Sequence, residues 1–101
     1  MEKVSIIIPC YNMEKTMLRT LNSIREQEYS NLEAIIVNDG STDNTKDIAN
    51  KYLQIDNRFK MIDVAHEGVS NARNVGLNSF TGDYVTFIDG DDNYTTPYAI
   101  S

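Results

Sequence analysis

The stretch Glu33-Ala34-Ile35-Ile36-Val37-Asn38-Asp39-Gly40-Ser41-Thr42-Asp43 joins a nearly continuous apolar run to a dense cluster of turn-forming and helix-capping residues. A short apolar run rich in β-branched side chains is typical of a strand buried on both faces of a sheet. The polar cluster is typical of a turn that opens a helix. This stretch therefore predicts one β-α unit, and the rest of the chain can be compared with it.

The same order of elements occurs before this stretch. The run Val4-Ser5-Ile6-Ile7-Ile8, ended by Pro9, predicts a first buried strand. An amphipathic helix should follow, with Asn12 as its expected N-cap. Its apolar stripe is formed by Met17, Leu18, Leu21 and Ile24.

The order continues after the central stretch. A second helix is predicted on the spacing of Ile48, Ala49, Tyr52 and Leu53, and a third strand over residues 59–64. Gly68 and Ser70 should open a third helix that reaches Leu77. A fourth strand is predicted over residues 84–88, directly before Asp89-Gly90-Asp91-Asp92.

The alternation β-α-β-α-β-α-β predicts an α/β, Rossmann-like fold in one domain over residues 1–101, with a mostly parallel sheet, right-handed crossovers and helices on both faces. Ligands of such sheets bind beyond the carboxyl ends of the strands. The polar clusters at residues 9–12, 38–43 and 89–92 all follow strands. We expect them to converge on one cleft.

Composition narrows the possible functions. A formal net charge of −6 argues against binding of nucleic acid, which depends on lysine and arginine. The chain shows no long apolar run and no signal-peptide pattern, and we expect it to be soluble and cytoplasmic. The single cysteine, Cys10, is expected to pack in the core. Neither GxxxxGK[ST] nor GxGxxG occurs, which argues against an NTPase or a dinucleotide-binding protein.

The acidic cluster Asp89, Asp91 and Asp92 has two interpretations. Three neighbouring carboxylates repel one another unless a cation bridges them, and Mn²⁺ or Mg²⁺ takes such oxygen ligands together with substrate phosphates. A solvated turn is the alternative, because short strings of Asp, Gly and Asn are common in loops. The residues alone leave both open.

Other polar residues near strand ends are candidates for binding. Asp39 could accept a hydrogen bond from a nucleobase imide N–H, which uracil offers and cytosine does not; its alternative role, and the expected role of Asp43, is to cap a turn or helix. Arg73 would suit a phosphate or an acidic partner, with a surface ion pair as the alternative. Tyr11 could pack beside a base or in the core. His66, a lone loop histidine, is expected to be structural or exposed.

Four segments taken in order resemble the family 2 glycosyltransferases, enzymes of the A-type glycosyltransferase fold. They are VSIIIPCYN at residues 4–12, VNDGSTD at 37–43, GVSNARNVG at 68–76 and GDYVTFIDGDD at 82–92. Each is weak alone, but together they span nearly the whole chain. The resemblance identifies the chain as the N-terminal, nucleotide-sugar-binding half, which ends before the acceptor half.

The resemblance implies roles for individual residues. Pro9 and Tyr11 would line the base pocket, Asp39 would contact the base, and Arg73 would lie near the nucleotide. Asp89 and Asp91 would form the DxD motif, which places the ribose and the Mn²⁺ or Mg²⁺ on the diphosphate. Asp91 and Asp92 are the alternative metal-binding pair.

The resemblance also implies a reaction. A sugar would pass from a nucleotide-diphosphate donor, expected to be UDP-linked, to a hydroxyl of a saccharide or lipid-linked acceptor, with inversion at the anomeric carbon. Such chemistry would suit cell-surface polysaccharide synthesis at the membrane periphery. The general base is expected after Ser101, so this part alone is expected to be inactive.

Two other functions are alternatives to this one. A non-catalytic nucleotide-sugar-binding module, or a fragment that needs a partner chain, would keep the cleft without turnover. A nucleotidyltransferase is less favoured, because the Gly-rich basic phosphate loop it would normally carry is missing from the first strand end. The sheet edge and apolar face left by truncation also predict self-association or marginal stability.

Overall fold

A computed structural model describes residues 2–27 and 29–88. The elements follow one another as β1 (Val4–Cys10), α1 (Met17–Arg25), β2 (Leu32–Asp39), α2 (Thr45–Ile55), β3 (Phe59–Val64), α3 (Val69–Leu77) and β4 (Tyr84–Phe87). The predicted alternation of strands and helices is confirmed. In the described part of the chain, no helix is long and apolar enough to cross a membrane.

The four strands form one parallel sheet in the order β3-β2-β1-β4. The central strands β1 and β2 are buried along their whole length, as their unbroken apolar runs predict. Ile6 pairs with Ala34 on one side and with Thr86 on the other, which fixes the register of the sheet centre. All four carboxyl ends therefore point to one edge of the sheet.

Helices cover both faces of the sheet, as predicted. On one face, α1 and α2 pack on alternate residues of β1 and β2; on the other, α3 packs on the remaining set, which includes Ile7, Ile35 and Val37. The approach of α3 is close at Gly76, where a Cβ atom would lie 2.4 Å from Cγ2 of Ile7. A small residue at this point lets the helix reach the sheet.

Two details of the predicted helix α1 were wrong. Asn12 is not the N-cap, because α1 begins at Met17 after Thr16 and the Asn12 side chain contacts another loop. Leu18 is 54% exposed, so the buried stripe consists of Met17, Leu21 and Ile24 without it.

Strand β4 is the outer strand of the described sheet beside β1, and Tyr84 and Phe87 on it are each partly exposed. It ends at Phe87, one residue earlier than predicted, and Ile88 is buried with its N–H donating to the carbonyl oxygen of Ile7. Self-association through this edge stays a prediction.

Candidate functional site

A cleft of about 400 Å³ lies at the carboxyl edge of the sheet, where ligands of open α/β sheets bind. Its walls are formed by the end of β1 and the loop after it, the last residue of β2, the loop after β3 and the start of α3. Four of its residues, Pro9, Tyr11, Asp39 and Arg73, are among those predicted from sequence. The full lining consists of Pro9, Cys10, Tyr11, Met13, Asp39, His66, Gly68, Val69 and Arg73.

Asp39, the last residue of β2, is only 2% exposed and organises the loop that follows β3. Its Oδ1 accepts a hydrogen bond from the backbone N–H of Glu67 at 2.9 Å, and its Oδ2 accepts one from the N–H of Gly68 at 3.0 Å. Nδ1 of His66 lies 3.0 Å from the same Oδ2. The carboxylate thus holds residues 66–68 in place, and its contact with a base stays a prediction.

The rings of Tyr11 and His66 stack across the cleft mouth. Their centroids are 4.0 Å apart and their planes differ by 22°. Tyr11 is 37% exposed, so it is not the core residue that one interpretation expected, and the His66 side chain is about half exposed. Nδ1 of the His66 ring faces the carboxylate of Asp39. The pair offers an aromatic surface with a polar edge.

His66 lies in the cleft, and its half-exposed ring beside Asp39 agrees with the expectation that it is structural or exposed. The residue follows β3 by two positions, so the rule that ligands bind beyond strand ends applies to it as well as to Asp39. That signal was present in the sequence. Met13 also lines the cleft, and no local signal distinguishes it from a core methionine.

Arg73 is exposed on α3, one turn in from the start of the helix. Its guanidinium carbon lies 5.9 Å from the ring centroid of Phe87, the last residue of β4, within the range of a cation–π contact. The contact places a permanent positive charge beside the end of β4. This position suits the predicted contact with an anionic ligand.

Cys10 lines the cleft but is buried, and its thiol donates weakly to the carbonyl oxygen of Val37. Burial, and then the nearby carboxylates of Asp43, Asp39 and Asp63, raise the pKa of the thiol to about 12. A thiol with such a pKa is a poor nucleophile near neutral pH. Cys10 packs in the core, as predicted.

Although Asn44 is the N-cap residue of α2, Asp43 caps the turn that leads into the helix. Its Oδ1 accepts hydrogen bonds from the backbone N–H of Thr45, the first residue of α2, at 2.9 Å and from the Thr45 hydroxyl at 2.5 Å. Burial by itself would raise the pKa of Asp43, but these bonds and one from the N–H of Glu14 outweigh it and lower the pKa. Asp43 is therefore ionised and bound to the protein itself.

Asp89, Asp91 and Asp92 lie outside the described residues. Their position in the chain follows Ile88, whose backbone is held at the end of β4. Elsewhere in the described ranges, no group of three His, Cys, Asp or Glu side chains is arranged to hold a metal ion.

A larger groove, of about 920 Å³, lies between the ends of α1 and α2. It is bounded by residues such as Arg25, Glu26 and Asp56, and Asp56 is paired with Arg58 at 2.8 Å. The carboxyl ends of the two helices lie near the amino ends of the strands, away from the polar clusters. The smaller cleft is thus the candidate site in spite of its size.

Comparisons with known proteins identify relatives of this chain. The family model described as "Glycosyl transferase family 2" matches residues 5–99. The glycosyltransferase GlyA of Streptococcus pneumoniae is 44% identical over 91 residues, which are 90% of this chain and 13% of that protein. The chain thus spans a small part of this curated relative.

Two solved structures are similar in fold and sequence. S. aureus TarS 1-349 in complex with UDP-GlcNAc superposes with a TM-score of 0.84 at 36% identity, over 90% of this chain and 27% of that one. The mannosyltransferase PcManGT of Pyrobaculum calidifontis in complex with GDP-Man and Mn²⁺ gives a TM-score of 0.87 at 26% identity, over 95% and 29%. Together with the family model, these matches show that the chain belongs to glycosyl transferase family 2.

Proposed function

We propose that this chain is the donor-binding part of a glycosyltransferase that transfers a sugar from a UDP-linked donor to an acceptor hydroxyl, with inversion at the anomeric carbon. The main support is the cleft at the carboxyl edge of the sheet. The cleft brings together the stacked rings of Tyr11 and His66, the buried carboxylate of Asp39, and Arg73 on α3. TarS, with 36% identity, was solved in complex with UDP-GlcNAc.

The nucleobase would bind at the Tyr11 and His66 end of the cleft. A flat base gains contact area on an aromatic ring, and the carboxylate of Asp39 keeps this end of the cleft negative, which favours an imide N–H donor such as that of uracil. The diphosphate would extend toward Arg73, whose guanidinium offers several N–H donors. Base and diphosphate would then span the cleft.

Mn²⁺ or Mg²⁺ would be held by two of Asp89, Asp91 and Asp92 together with the diphosphate. Two observations support this assignment: PcManGT was solved with GDP-Man and Mn²⁺, and both oxygens of Asp39, the carboxylate of the described cleft, are already bound within the protein. When bound, such an ion neutralises the negative charge of a leaving diphosphate.

The general base is proposed to lie outside residues 1–101. Asp39 is the carboxylate of the described cleft, and both of its oxygens accept hydrogen bonds from residues 66–68. The chain covers 13% of GlyA, so its relatives have ample sequence elsewhere for an acceptor site, which we propose takes a saccharide or lipid-linked hydroxyl. Transfer would thus need more than this chain.

The test is calorimetric titration of UDP into the chain with and without Mn²⁺. We expect binding that strengthens with Mn²⁺, because the ion would link the diphosphate to the acidic cluster. Asp89→Ala, Asp91→Ala and Asp92→Ala should each be measured; those that hold the ion should lose the effect of Mn²⁺. Asp47→Ala, an exposed aspartate on α2, removes the same charge and should change nothing.

The alternatives give different results. Binding of UDP that is indifferent to Mn²⁺ and to all three substitutions would mean that the acidic cluster is only a turn. Equal binding of CDP would contradict the assignment of uracil. Binding of neither UDP nor GDP would contradict the donor site itself.

A further inference from the structure

Asn12 makes several hydrogen bonds at the carboxyl edge of the sheet, although it does not line the cleft. Among the described residues it is the one non-glycine with a positive φ, at 51°. Asparagine adopts this left-handed region more readily than most residues. The residue is exposed and does not line the cleft, although Tyr11 and Met13 on either side of it do.

The side-chain carbonyl of Asn12 reaches the turn that follows β2. Its Oδ1 accepts hydrogen bonds from the backbone N–H of Thr42 at 2.7 Å and of Asp43 at 3.3 Å. In the other direction, the backbone N–H of Asn12 donates to the hydroxyl oxygen of Ser41 at 3.0 Å. One residue therefore links two loops through both its side chain and its backbone.

The next residues of the same loop strengthen the link. The backbone N–H of Met13 donates to Oγ1 of Thr45 at 2.8 Å, and that of Glu14 donates to Oδ2 of Asp43 at 3.3 Å. The loop after β1 is thus tied to the start of α2 by residues that follow Tyr11 in sequence. Tyr11 is held between β1 and this link.

The turn after β2 also touches the other member of the aromatic pair. Gly40 has a φ of 68°, and a Cβ atom there would lie 2.7 Å from the backbone nitrogen of His66. Asp39, the preceding residue, approaches the His66 ring at 3.0 Å. Contacts therefore run without a gap from Asn12, through the turn after β2, to His66.

We propose that Asn12 is a positioning residue of the donor site, which locks the turn at residues 41–43 to the loop after β1 and so holds Tyr11 against His66 before a nucleotide arrives. The inference rests on the proposed function and adds to it a residue that does not touch the ligand. Groups that are already ordered bind more tightly, because less conformational freedom is lost on binding.

The experiment compares UDP affinity among variants of the whole chain, below the unfolding temperature of each. Asn12→Gly keeps the positive φ accessible but removes Oδ1, whereas Asn12→Asp keeps an oxygen acceptor of the same shape. We expect Asn12→Gly to weaken UDP binding about tenfold and Asn12→Asp to stay within about threefold of wild type. Asn57→Gly, at an exposed turn before β3, is the control and should bind as wild type does.

A second readout needs no ligand. His66 is the single histidine of the chain, so its ring protons give isolated NMR signals, which the Tyr11 ring at 4.0 Å should shift from their usual positions. Asn12→Gly should move these signals toward those of free histidine, and Asn57→Gly should not. This measurement follows the ring pair itself.

The two readouts separate this inference from the proposed function. Unmoved His66 signals in Asn12→Gly overturn the inference, and so does wild-type UDP affinity in a variant whose signals move. An Asn12→Asp variant as weak as Asn12→Gly also overturns it, because the acceptor oxygen would then not matter. If wild type binds no UDP while the signals still move, the proposed function fails and the locking of the loops is supported.

Discussion

Two buried carboxylates lie on β2, at opposite ends of the strand, and they differ in their partners. Glu33, near the amino end, is 1% exposed, and Asp39, at the carboxyl end, is 2% exposed. Glu33 accepts hydrogen bonds from Nζ of Lys60 at 2.7 Å and from Oγ of Ser5 at 2.6 Å. Asp39 accepts them from two backbone N–H groups and faces His66.

The partners indicate the role of each carboxylate. Glu33 also accepts from the backbone N–H of Thr81 at 2.9 Å, so it fastens the turn that leads into β4. Its charge is balanced by lysine, and it lies away from the cleft. The described partners of Asp39 include no lysine or arginine, and Asp39 lines the cleft. The two carboxylates are therefore equally buried, but Glu33 has a structural role and Asp39 is a candidate for ligand binding.

The largest expected effect is on stability, at Glu33. Glu33→Gln should lower the free energy of unfolding by about 3 kcal/mol, because it removes a buried charge from its lysine and hydroxyl partners. Urea denaturation measures this change. Glu26→Gln, an exposed control, should have little effect. If the difference between Glu33 and Asp39 is as described, the folded Glu33→Gln protein binds UDP as wild type does.

The pH dependence of stability tests the same carboxylate. Burial alone would raise the pKa of Glu33, but hydrogen bonds from Lys60, Ser5 and the N–H of Thr81 outweigh it and lower the pKa from 4.5 to about 2. The unfolded chain then binds a proton at higher pH than the folded protein, so this stabilisation is complete above pH 4.5 and is lost as pH falls toward 2.

Between pH 4.5 and pH 2, the free energy of unfolding of wild type should fall by about 3 kcal/mol more than that of Glu33→Gln. The comparison of the two proteins isolates Glu33, because Asp43 and Asp63, whose pKa values are also lowered, contribute equally to both. Parallel pH profiles for wild type and variant would show that Glu33 is not responsible.

A smaller effect, and on binding, is expected at Asp39. Asp39→Asn should weaken UDP binding about thirtyfold, because it removes the negative charge of the cleft and one acceptor of the loop at residues 66–68. Calorimetric titration gives the change. Asp63→Asn is a matched control at the same edge of the sheet, where Asp63 pairs with Lys46 at 3.0 Å. Equal losses in both variants would contradict a specific role for Asp39.

Much of the fold could be predicted from the sequence. The apolar runs at residues 4–8 and 33–37 become the buried central strands β1 and β2, and β3 has its predicted bounds, Phe59–Val64. Pro9 was wrong as the end of the first strand, because β1 continues to Cys10. The stripe of α2 packs as its spacing predicts. These features depend on local periodicity, which the chain carries in any window of about ten residues.

The site was predicted less completely. Asn12 was wrong as a helix cap, because its partners are 30 and 31 residues away in sequence. The place of His66 in the cleft was not foreseen for a similar reason: the ring stacks on Tyr11, 55 positions earlier in the chain and in another loop. Asp39 was singled out as a candidate and lines the cleft, but its bonds to residues 66–68 were not foreseen. Contacts between loops leave no periodic signal.

By itself, the sequence determined the order of strands and helices, the strand ends at which polar residues gather, and, through four segments in order, the family. Periodicity and motif order are properties of neighbouring residues, so they can be read along the chain. Only the tertiary structure decided which of those polar residues meet. The parallel strands bring their carboxyl ends to one edge, and there Asn12, Asp39 and His66 acquire partners that no local pattern specifies.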